Sequence, residues 1–503
     1  MSKKVIVIGA GIGGLTAGAL LARRGYNVTI YEQAYVPGGC ASTFKRRGFT
    51  FDVGATQVAG LEPGGIHHRI FEELKIDLPS VTPCDPACAV FLPGETQPIN
   101  VWRDPEKWQQ ERQKQFPGSE PFWQLLAKLF QASWKFQGRD PVLPPRNLWD
   151  VWQLTTALRL DTLITVPFTF MTVGDALRLY GLYNDRRLKT FLDLQLKLYS
   201  QVNADETALL YAATALGVSQ EPQGLYHLQG SMQILSDRLV EGLEKHGGKL
   251  FTGYYVERIE TLENNKSQII IRQRKTEKTF TKTADHIVAN VPVQNLVKMI
   301  DSPSQPGLNL YQQRVEKLPE ASGAFVIYLG VKDEAIPKNC PPHLQFLYDY
   351  DEVIGENNSL FVSVSKPKDG RSPEGQRTII ASSFTDTQIW NNISEEKYQQ
   401  LKQEYTIEAI ARLSNYFQLN SDTIIHQEAA TPRTFAYYTA RDKGIVGGIG
   451  QRVSTFGPFG IATRTPIKNL WLVGDSTHPG EGTAGVSYSA LTAVRQIENK
   501  NFI

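Results

Sequence analysis

Cysteine, unbalanced charge and long apolar runs are all scarce in this chain. Four cysteines occur among 503 residues, too few and too scattered for a disulfide framework. Lys and Arg number 53 against 51 Asp and Glu, and no basic tail or sustained Lys/Arg run occurs, so nucleic acid is not expected as a partner. The sequence has no uninterrupted stretch of about eighteen apolar residues, and therefore no membrane-spanning helix is predicted.

Metal binding and secretion are each suggested by one local pattern and opposed by its surroundings. Cys84 and Cys88 have a spacing that suits a metal, but no nearby Cys/His pair completes a four-ligand site, so no metal is predicted. Lys3 and Lys4 precede an apolar stretch that imitates a secretory signal. Cleavage there would remove the glycine-rich turn described next, so we expect this segment to be retained and the protein to be intracellular.

Residues 5–32 are the most informative segment. They predict a buried strand, a glycine-rich turn, a helix and a second strand that delivers Glu32. Gly9 permits the tight turn, Gly11 lets the backbone approach a pyrophosphate, and Gly14 lets helix and strand pack closely. Glu32 follows Gly14 by eighteen residues, the distance at which a carboxylate accepts hydrogen bonds from an adenosine ribose. The segment therefore predicts a dinucleotide site with the diphosphate at the helix N-terminus.

Two further segments favour FAD over a nicotinamide cofactor. Gly38 and Gly39 follow the ribose-binding acid and allow the chain to double back beside the diphosphate, a contact that the longer FAD requires. Near the other end of the chain, residues 469–475 predict a buried strand that ends in Gly474 and Asp475. Such an aspartate can bind ribityl or diphosphate oxygens, while the following helix directs its N-terminus at the flavin.

These separated segments imply an α/β architecture with a discontinuous, Rossmann-type FAD-binding domain and a second, substrate-binding domain. We expect the FAD-binding domain to comprise residues 1–85, 223–302 and 458–503, and the substrate domain residues 86–222 and 303–457. Residues 324–331, 360–365 and 378–383 predict strands of a second sheet under the flavin.

The middle of the chain is rich in aromatic residues. Six of the eight tryptophans fall between Trp102 and Trp152, and residues 160–173 are apolar and aromatic. Such helices suit a protein at the membrane–water boundary, although the same residues can simply fill a helical core. We therefore expect residues 115–175 to form a helical, membrane-facing part of the substrate domain.

The chain resembles the FAD-dependent carotenoid desaturase and isomerase family, within the wider amine-oxidase-like flavoproteins. The resemblance covers nearly the whole chain and rests on seven motifs, at residues 9–14, 37–39, 51–54, 228–233, 284–290, 431–435 and 474–480. Within that family the run from Cys40 to Gly65, with residues 83–88, is most similar to the cyanobacterial-type carotenoid 3′,4′-desaturases.

The resemblance also implies roles for single residues. Val256 would offer its backbone to the adenine. In the wider superfamily an arginine commonly follows the paired glycines, where this chain has Cys40. The terminal motif resembles a pattern reading His-Pro-Gly-Gly-Gly, but Glu481 replaces the middle glycine of the final three. Glu481 and its neighbour His478 are therefore the candidates for charge stabilisation or proton acceptance.

The expected reaction is desaturation, in which FAD takes a hydride from a carotenoid end region and a quinone or oxygen reoxidises the flavin. Redox-neutral cis–trans isomerisation with reduced FAD is one alternative. A non-catalytic lipid-binding protein of the GDP-dissociation-inhibitor type is another, and an amine oxidase is the weakest. A lipid-soluble polyene substrate favours peripheral contact with a membrane. The low cysteine content and the expected absence of an export signal favour its cytoplasmic face.

Overall fold

The structure, a computed structural model, describes residues 2–262, 266–301 and 305–499. These residues contain twenty strands, numbered here in chain order: β1 Lys4–Ile8, β2 Asn27–Glu32, β3 Thr43–Arg46, β4 Phe49–Asp52, β5 Val81–Pro83, β6 Cys88–Phe91, β7 Ile99–Val101, β8 Tyr226–Leu228, β9 Lys249–Thr252, β10 Tyr254–Thr261, β11 Ser267–Gln273, β12 Thr279–Ala284, β13 His286–Ala289, β14 Ile300–Asp301, β15 Gly323–Lys332, β16 His343–Leu347, β17 Ser359–Val364, β18 Gln376–Thr385, β19 Ile424–Ala430 and β20 Leu470–Leu472.

The same residues form fifteen α-helices, again in chain order: α1 Ile12–Arg23, α2 Ile66–Leu74, α3 Pro105–Gln115, α4 Glu120–Gln137, α5 Leu148–Ala157, α6 Val173–Leu179, α7 Arg186–Ser200, α8 Leu209–Gly217, α9 Gln233–Lys245, α10 Val293–Met299, α11 Leu308–Glu316, α12 Gln388–Asn391, α13 Glu395–Leu413, α14 Pro432–Thr439 and α15 Thr483–Glu498. Short 3₁₀ turns lie at Gly39–Ala41, Leu163–Phe168, Asp333–Ala335, Asp442–Gly444 and Gly457–Phe459.

A five-stranded, all-parallel sheet holds the ends of the predicted nucleotide segments together. Its strand order is β20-β13-β1-β2-β9, so β1 lies in the middle, between β2 and β13. Helices α1, α9 and α15 pack with this sheet around one apolar core. A parallel sheet is covered on both faces, which explains why β1 is a run of valine and isoleucine without polar alternation.

The other large sheet has seven strands in the order β19-β15-β18-β17-β16-β6-β7, antiparallel except where β6 pairs with β16. It contains the three predicted strand segments: the first is two residues longer than predicted, the second is shifted by one residue, and the third is four residues longer. Helix α13 covers one face of this sheet. Several side chains of the other face reach the cavity described below, among them Val326 and Phe384.

The predicted α/β fold class is confirmed, since a parallel sheet and a mixed sheet combine with helices from separated parts of the chain. All five strands of the parallel sheet come from the three segments expected to form the FAD-binding domain, and the seven-stranded sheet comes from the two other segments. The expected boundary between residues 302 and 303 lies outside the described residues.

The tryptophan-rich block divides into a buried and an exposed part. Trp108, Trp123 and Trp149 are buried, so for these three the aromatic enrichment reflects an ordinary helical core, not the boundary role predicted from it. Trp152 is instead 59% exposed. No helix within the described part of the chain is both long enough and apolar enough to cross a bilayer.

Candidate active site

The turn after β1 is built as its glycines predict. Gly9 has a φ of +89°, which only glycine adopts without strain. Helix α1 then crosses so close to the strand that a Cβ on Gly14 would lie 2.1 Å from the Gly9 carbonyl oxygen. A Cβ on Gly11 would lie 2.7 Å from the side-chain amide of Asn290, at the end of β13. These close approaches fix both glycines and leave backbone, not side chain, at the surface of the turn.

Glu32 lies buried at the end of β2, directly beside this turn. Its Oε2 accepts a 2.6 Å hydrogen bond from the backbone N–H of Ala10, and its Oε1 accepts one of 2.8 Å from Ala34. Burial nevertheless raises the pKa of Glu32, against the lowering effect of these backbone donors. The carboxyl group is therefore held in place beside the turn by backbone donors of the chain itself.

The paired glycines return to the same turn. Gly38 donates a 2.8 Å backbone hydrogen bond to Ala10, and a short parallel bridge joins Gly38 to Gly11. Gly38 and Gly39 have φ values of +119° and +59°, so the doubling back of the chain requires glycine.

The late segment closes the site from the other side. Strand β20 pairs with β13, and Gly474 lies just after β20. Its backbone packs so tightly against the end of β13 that a Cβ on Gly474 would lie 3.0 Å from Asn290 Oδ1. Asp475 comes next, and its Oδ2 accepts a 2.7 Å hydrogen bond from Arg441. Glycines near the start of the chain and an aspartate near its end thus face one space.

That space is a cavity of 1210 Å³, larger than the pockets of about 300–1,000 Å³ that hold ordinary small ligands. Of the residues assigned to the site from the sequence, all but Gly14 line this cavity. They are Gly9, Gly11, Glu32, Gly38, Gly39, Val256, Gly474, Asp475, His478 and Glu481. Gly14 acts from behind this wall, by allowing α1 to approach β1.

The chemistry of this wall fits FAD. Helices α1 and α15 both begin at the cavity, and neither has a side-chain cap on its first turn. Uncapped N–H groups at two helix N-termini provide donors for anionic or carbonyl oxygens. Glu32 ends β2 and Gly474 follows β20, and these strands lie on opposite sides of β13 and β1 in the sheet, so a long dinucleotide has a polar contact on each side.

Glu481 is a buried acid at the cavity wall. Burial raises its pKa to about 8, although a hydrogen bond from Gln201 and the charge of Arg441 oppose the rise. Its Oε2 accepts a 2.8 Å hydrogen bond from the Gln201 amide, whereas its buried Oε1 has no partner among the described residues. Sequence reasoning missed Gln201, because nothing near residue 201 indicates a contact 280 residues away.

His478 is also buried at the cavity wall. Burial lowers its pKa to about 4, so the imidazole is neutral at physiological pH. Neither ring nitrogen has a partner among the described residues, and the ring lies 5.4 Å from that of Phe456.

The segment around α14 contributes unequally to the cavity. Tyr437, Tyr438 and Arg441 line it. Arg433 does not line the cavity: its guanidinium donates to the backbone carbonyls of Trp390 and Ile393 and so has a structural role.

The cysteines and the acidic and histidine side chains form no candidate metal centre within the described ranges of the chain. Cys84 and Cys88 are both buried as free thiols, and burial raises their pKa values to about 11 and about 12.

Comparison with known proteins agrees with this site. The family model described as flavin-containing amine oxidoreductase matches residues 12–498, and the chain belongs to that family. FAD is therefore its cofactor and the protein is an FAD-dependent oxidoreductase, which removes support from the non-catalytic alternative.

Two curated relatives have names that are more specific than the description of the family. The chain is 26% identical to prolycopene isomerase 1 of an Oncidium hybrid cultivar, over 98% of this chain and 83% of that protein. It is 24% identical to the zeta-carotene-forming phytoene desaturase of Myxococcus xanthus, over 98% of this chain and 94% of that protein. The predicted resemblance to carotenoid desaturases and isomerases is thereby confirmed.

Among solved structures, the cyclohexylamine oxidase of Brevibacterium oxydans matches with a TM-score of 0.61 and 15% identity, covering 99% of this chain and all of that one. At this identity the likeness establishes the shared fold alone.

Proposed function

We propose that the protein is a carotenoid desaturase that introduces a C=C bond, at the 3′,4′ position, into a carotenoid held in the cavity beyond FAD. The observation that carries this proposal is the cavity itself. It continues past the nucleotide-binding turn to aliphatic side chains of the helical block, including Leu154, Leu158 and Val166. A polyene offers few polar handles, so binding comes from burial of apolar surface, worth about 25 cal/mol per Å².

Bound FAD supplies the hydride acceptor for this reaction. The proton that leaves the neighbouring carbon requires a base, and Glu481 is the proposed one because its Oε1 is unpartnered and lies at the cavity wall. Gln201 holds the other carboxylate oxygen and so orients the group. Neutral His478 would contribute shape and polarity rather than charge. A quinone or oxygen is the proposed oxidant of the reduced flavin.

Peripheral membrane contact is part of the proposal. Residues between Leu148 and Phe170 expose many large apolar side chains, with Leu160 87% and Phe170 68% exposed. Exposed apolar patches of this kind mark interaction surfaces. Because Leu158 and Val166 belong to the same segment and also line the cavity, the patch surrounds an entrance through which a lipid-dissolved substrate can pass. We propose that this surface rests on the cytoplasmic face of a membrane.

The second candidate is cis–trans isomerisation of a carotenoid. The similarity to prolycopene isomerases over 98% of this chain favours it, and the same apolar cavity and FAD site serve it equally well.

Expression in a carotenoid-producing bacterium tests both candidates. The host should supply a carotenoid with an acyclic end and a saturated 3′,4′ bond, and its pigments should be analysed by mass and absorbance. Loss of two hydrogen atoms supports desaturation, and the fragment pattern locates the new bond. An unchanged mass with altered spectral fine structure supports isomerisation instead. Unchanged pigments in cells that contain the yellow holoprotein would refute both, and a Gly14→Ala variant provides the cofactor-deficient control.

A further inference from the structure

Arg441 brings a buried positive charge to the cofactor cavity from outside the nucleotide-binding strands. It follows α14 and is 13% exposed. Its Nη2 donates a 2.7 Å hydrogen bond to Asp475 Oδ2 and a further one to the carbonyl of Gly447, while its Nε donates 2.7 Å to Ile445. The guanidinium is thus held in one orientation beside the aspartate expected to contact FAD.

One edge of this guanidinium remains available. Nη1 of Arg441 donates to no acceptor among the described residues, and the side chain lines the cavity. Three other arginines line the same cavity, and each is engaged elsewhere: Arg46 with Glu428, Arg69 with Asp140, and Arg274 with Gln33. Arg441 therefore lies next to Asp475 and still has N–H donors on Nη1 available for a ligand in the cavity.

Cys40 leaves the site without a cation at the position after the paired glycines. Cys40 occupies the place after the paired glycines where the wider superfamily commonly has an arginine. The charge of Arg441 reaches this thiol: burial raises the pKa of Cys40, and Arg441 opposes that rise. Both residues line the cavity, so Arg441 brings to this cavity the positive charge that an arginine at position 40 would bring.

We propose that Arg441 supplies to the FAD diphosphate the positive charge that an arginine after the paired glycines supplies elsewhere in the superfamily. The N-terminus of α1 offers only about half an elementary charge to a dianionic diphosphate. A guanidinium adds a full charge and a planar pair of donors that matches phosphate oxygens. This inference rests on FAD as the cofactor and is independent of the carotenoid reaction.

Titration of the apoprotein with FAD and with riboflavin tests the proposal, since riboflavin lacks both phosphates. Loss of a charged hydrogen-bond donor predicts that Arg441→Met weakens FAD binding by about 10- to 100-fold. Riboflavin affinity should stay within about threefold, because the expected contact is with phosphate. The FAD affinity of the native protein should fall with salt more steeply than that of the variant. Unchanged FAD affinity, or an equal loss for riboflavin, would overturn the assignment.

Two double variants separate this role from simple neutralisation of Asp475. In an Asp475→Asn background, Arg441→Met should still weaken FAD binding, whereas no effect there would show that Arg441 acts only on the aspartate. Cys40→Arg added to Arg441→Met should restore FAD affinity at least in part, and a failure to do so in a folded protein counts against the proposal.

The controls address folding. Arg433→Met removes a cation that does not line the cavity, and it should leave FAD affinity unchanged. Circular dichroism melts of each apoprotein verify the fold. If Arg441→Met does not fold, Arg441→Lys retains the charge and is expected to bind FAD within about tenfold of the native protein and to keep the salt dependence. Loss of either in a folded Arg441→Lys protein would contradict the proposal.

Discussion

The side-chain amide of Gln201 donates a 2.8 Å hydrogen bond to Glu481 Oε2, joining α7 to the loop before α15. One oxygen of a buried carboxyl group is thereby fixed while the other stays unpartnered at the cavity wall. Glycines close this arrangement, since a Cβ on Gly447 would lie 2.1 Å from the same Oε2. Orientation, burial and an open oxygen are the properties of a proton acceptor.

If Glu481 is the base, turnover should depend on its ionisation. Its pKa of about 8 predicts that kcat/KM rises with pH up to about that value. Glu481→Gln should lower kcat by about 10²- to 10⁴-fold and abolish this rise, because an amide cannot accept the proton. Rates on carotenoid in detergent or vesicles between pH 6 and 9 measure both. Gln201→Leu, which removes only the orienting bond, is the matched comparison and should shift the profile without abolishing it. A variant Glu481→Gln with native rates would exclude this role.

Glu481 should also make stability depend on pH. Its pKa is raised from 4.5 in the unfolded chain to about 8 in the native state, so the native state favours the protonated form. Stability from this group is therefore fully present below pH 4.5 and is lost as pH rises through about 8. Glu481→Gln should remove that loss, so the variant gains on the order of a few kcal/mol relative to the native protein on going from pH 5 to pH 9. Chemical denaturation of both apoproteins at the two pH values provides the comparison, and parallel curves would contradict it.

Gly14→Ala should deprive the protein of FAD. A Cβ at position 14 would lie 2.1 Å from the Gly9 carbonyl oxygen, and a backbone atom cannot move aside as a side chain does. Displacing α1 or the turn would cost about 1–3 kcal/mol, enough to lower FAD affinity about tenfold or more. The ratio of flavin to protein absorbance after purification measures the loss. Gly118→Ala is the control: it places a Cβ on a glycine of positive φ that does not line the cavity, and its flavin content should equal that of the native protein.

The apolar patch around the cavity entrance should be needed for membrane binding. Leu160→Glu places a charge on a side chain that is 87% exposed, so folding should be unaffected while partition into a bilayer becomes unfavourable. Co-sedimentation with vesicles of mixed neutral and anionic lipids should fall by about tenfold or more. Ile407→Glu alters a similarly exposed residue on α13, far along the chain from the patch, and should sediment as the native protein does. Equal vesicle binding by the two variants would contradict the proposed contact between this patch and a membrane.

A buried ion-pair network should dominate the stability of the contact between the two halves of the fold. Arg371 and Asp52 are each 2% exposed and lie 3.1 Å apart, and Arg371 also contacts Asp369 at 3.0 Å. Arg371→Met would leave Asp52 charged and buried without its partner, at a cost of about 3–5 kcal/mol.

The exposed pair between Arg186 and Asp351 is the natural comparison, since both side chains are more than half exposed. Arg186→Met should cost less than about 1 kcal/mol. Thermal and denaturant unfolding should therefore show a larger loss in the free energy of unfolding for Arg371→Met than for Arg186→Met. Equal losses would show that the buried network does not stabilise the fold more than an exposed ion pair does.

Much of the nucleotide half was accessible from sequence because its signals are local. The strand, turn and helix of residues 4–23 and the acid at Glu32 follow one another within a single short segment, and each residue type has a steric or hydrogen-bonding reason to be there. The same holds for the three strands predicted in the seven-stranded sheet, because each contains a short local apolar run, such as residues 360–362 and 379–381.

The parts of the site that the sequence did not predict depend on contacts between residues far apart in the chain, which no local pattern indicates. Gln201 meets Glu481 across 280 residues, and Arg371 meets Asp52 across 319. Tryptophan content is ambiguous for a related reason: composition does not show whether an aromatic side chain is buried in a core or exposed at the surface. Trp108 is buried, whereas Trp152 is 59% exposed.

The central place of β1 in its sheet has a consequence for synthesis. Its two neighbours are β2, which follows immediately, and β13, which ends at residue 289. At about 5–20 residues per second, a ribosome needs roughly 10–50 s to deliver that second neighbour. Until then the nascent chain carries an apolar strand with one unpaired edge, the kind of surface that chaperones retain.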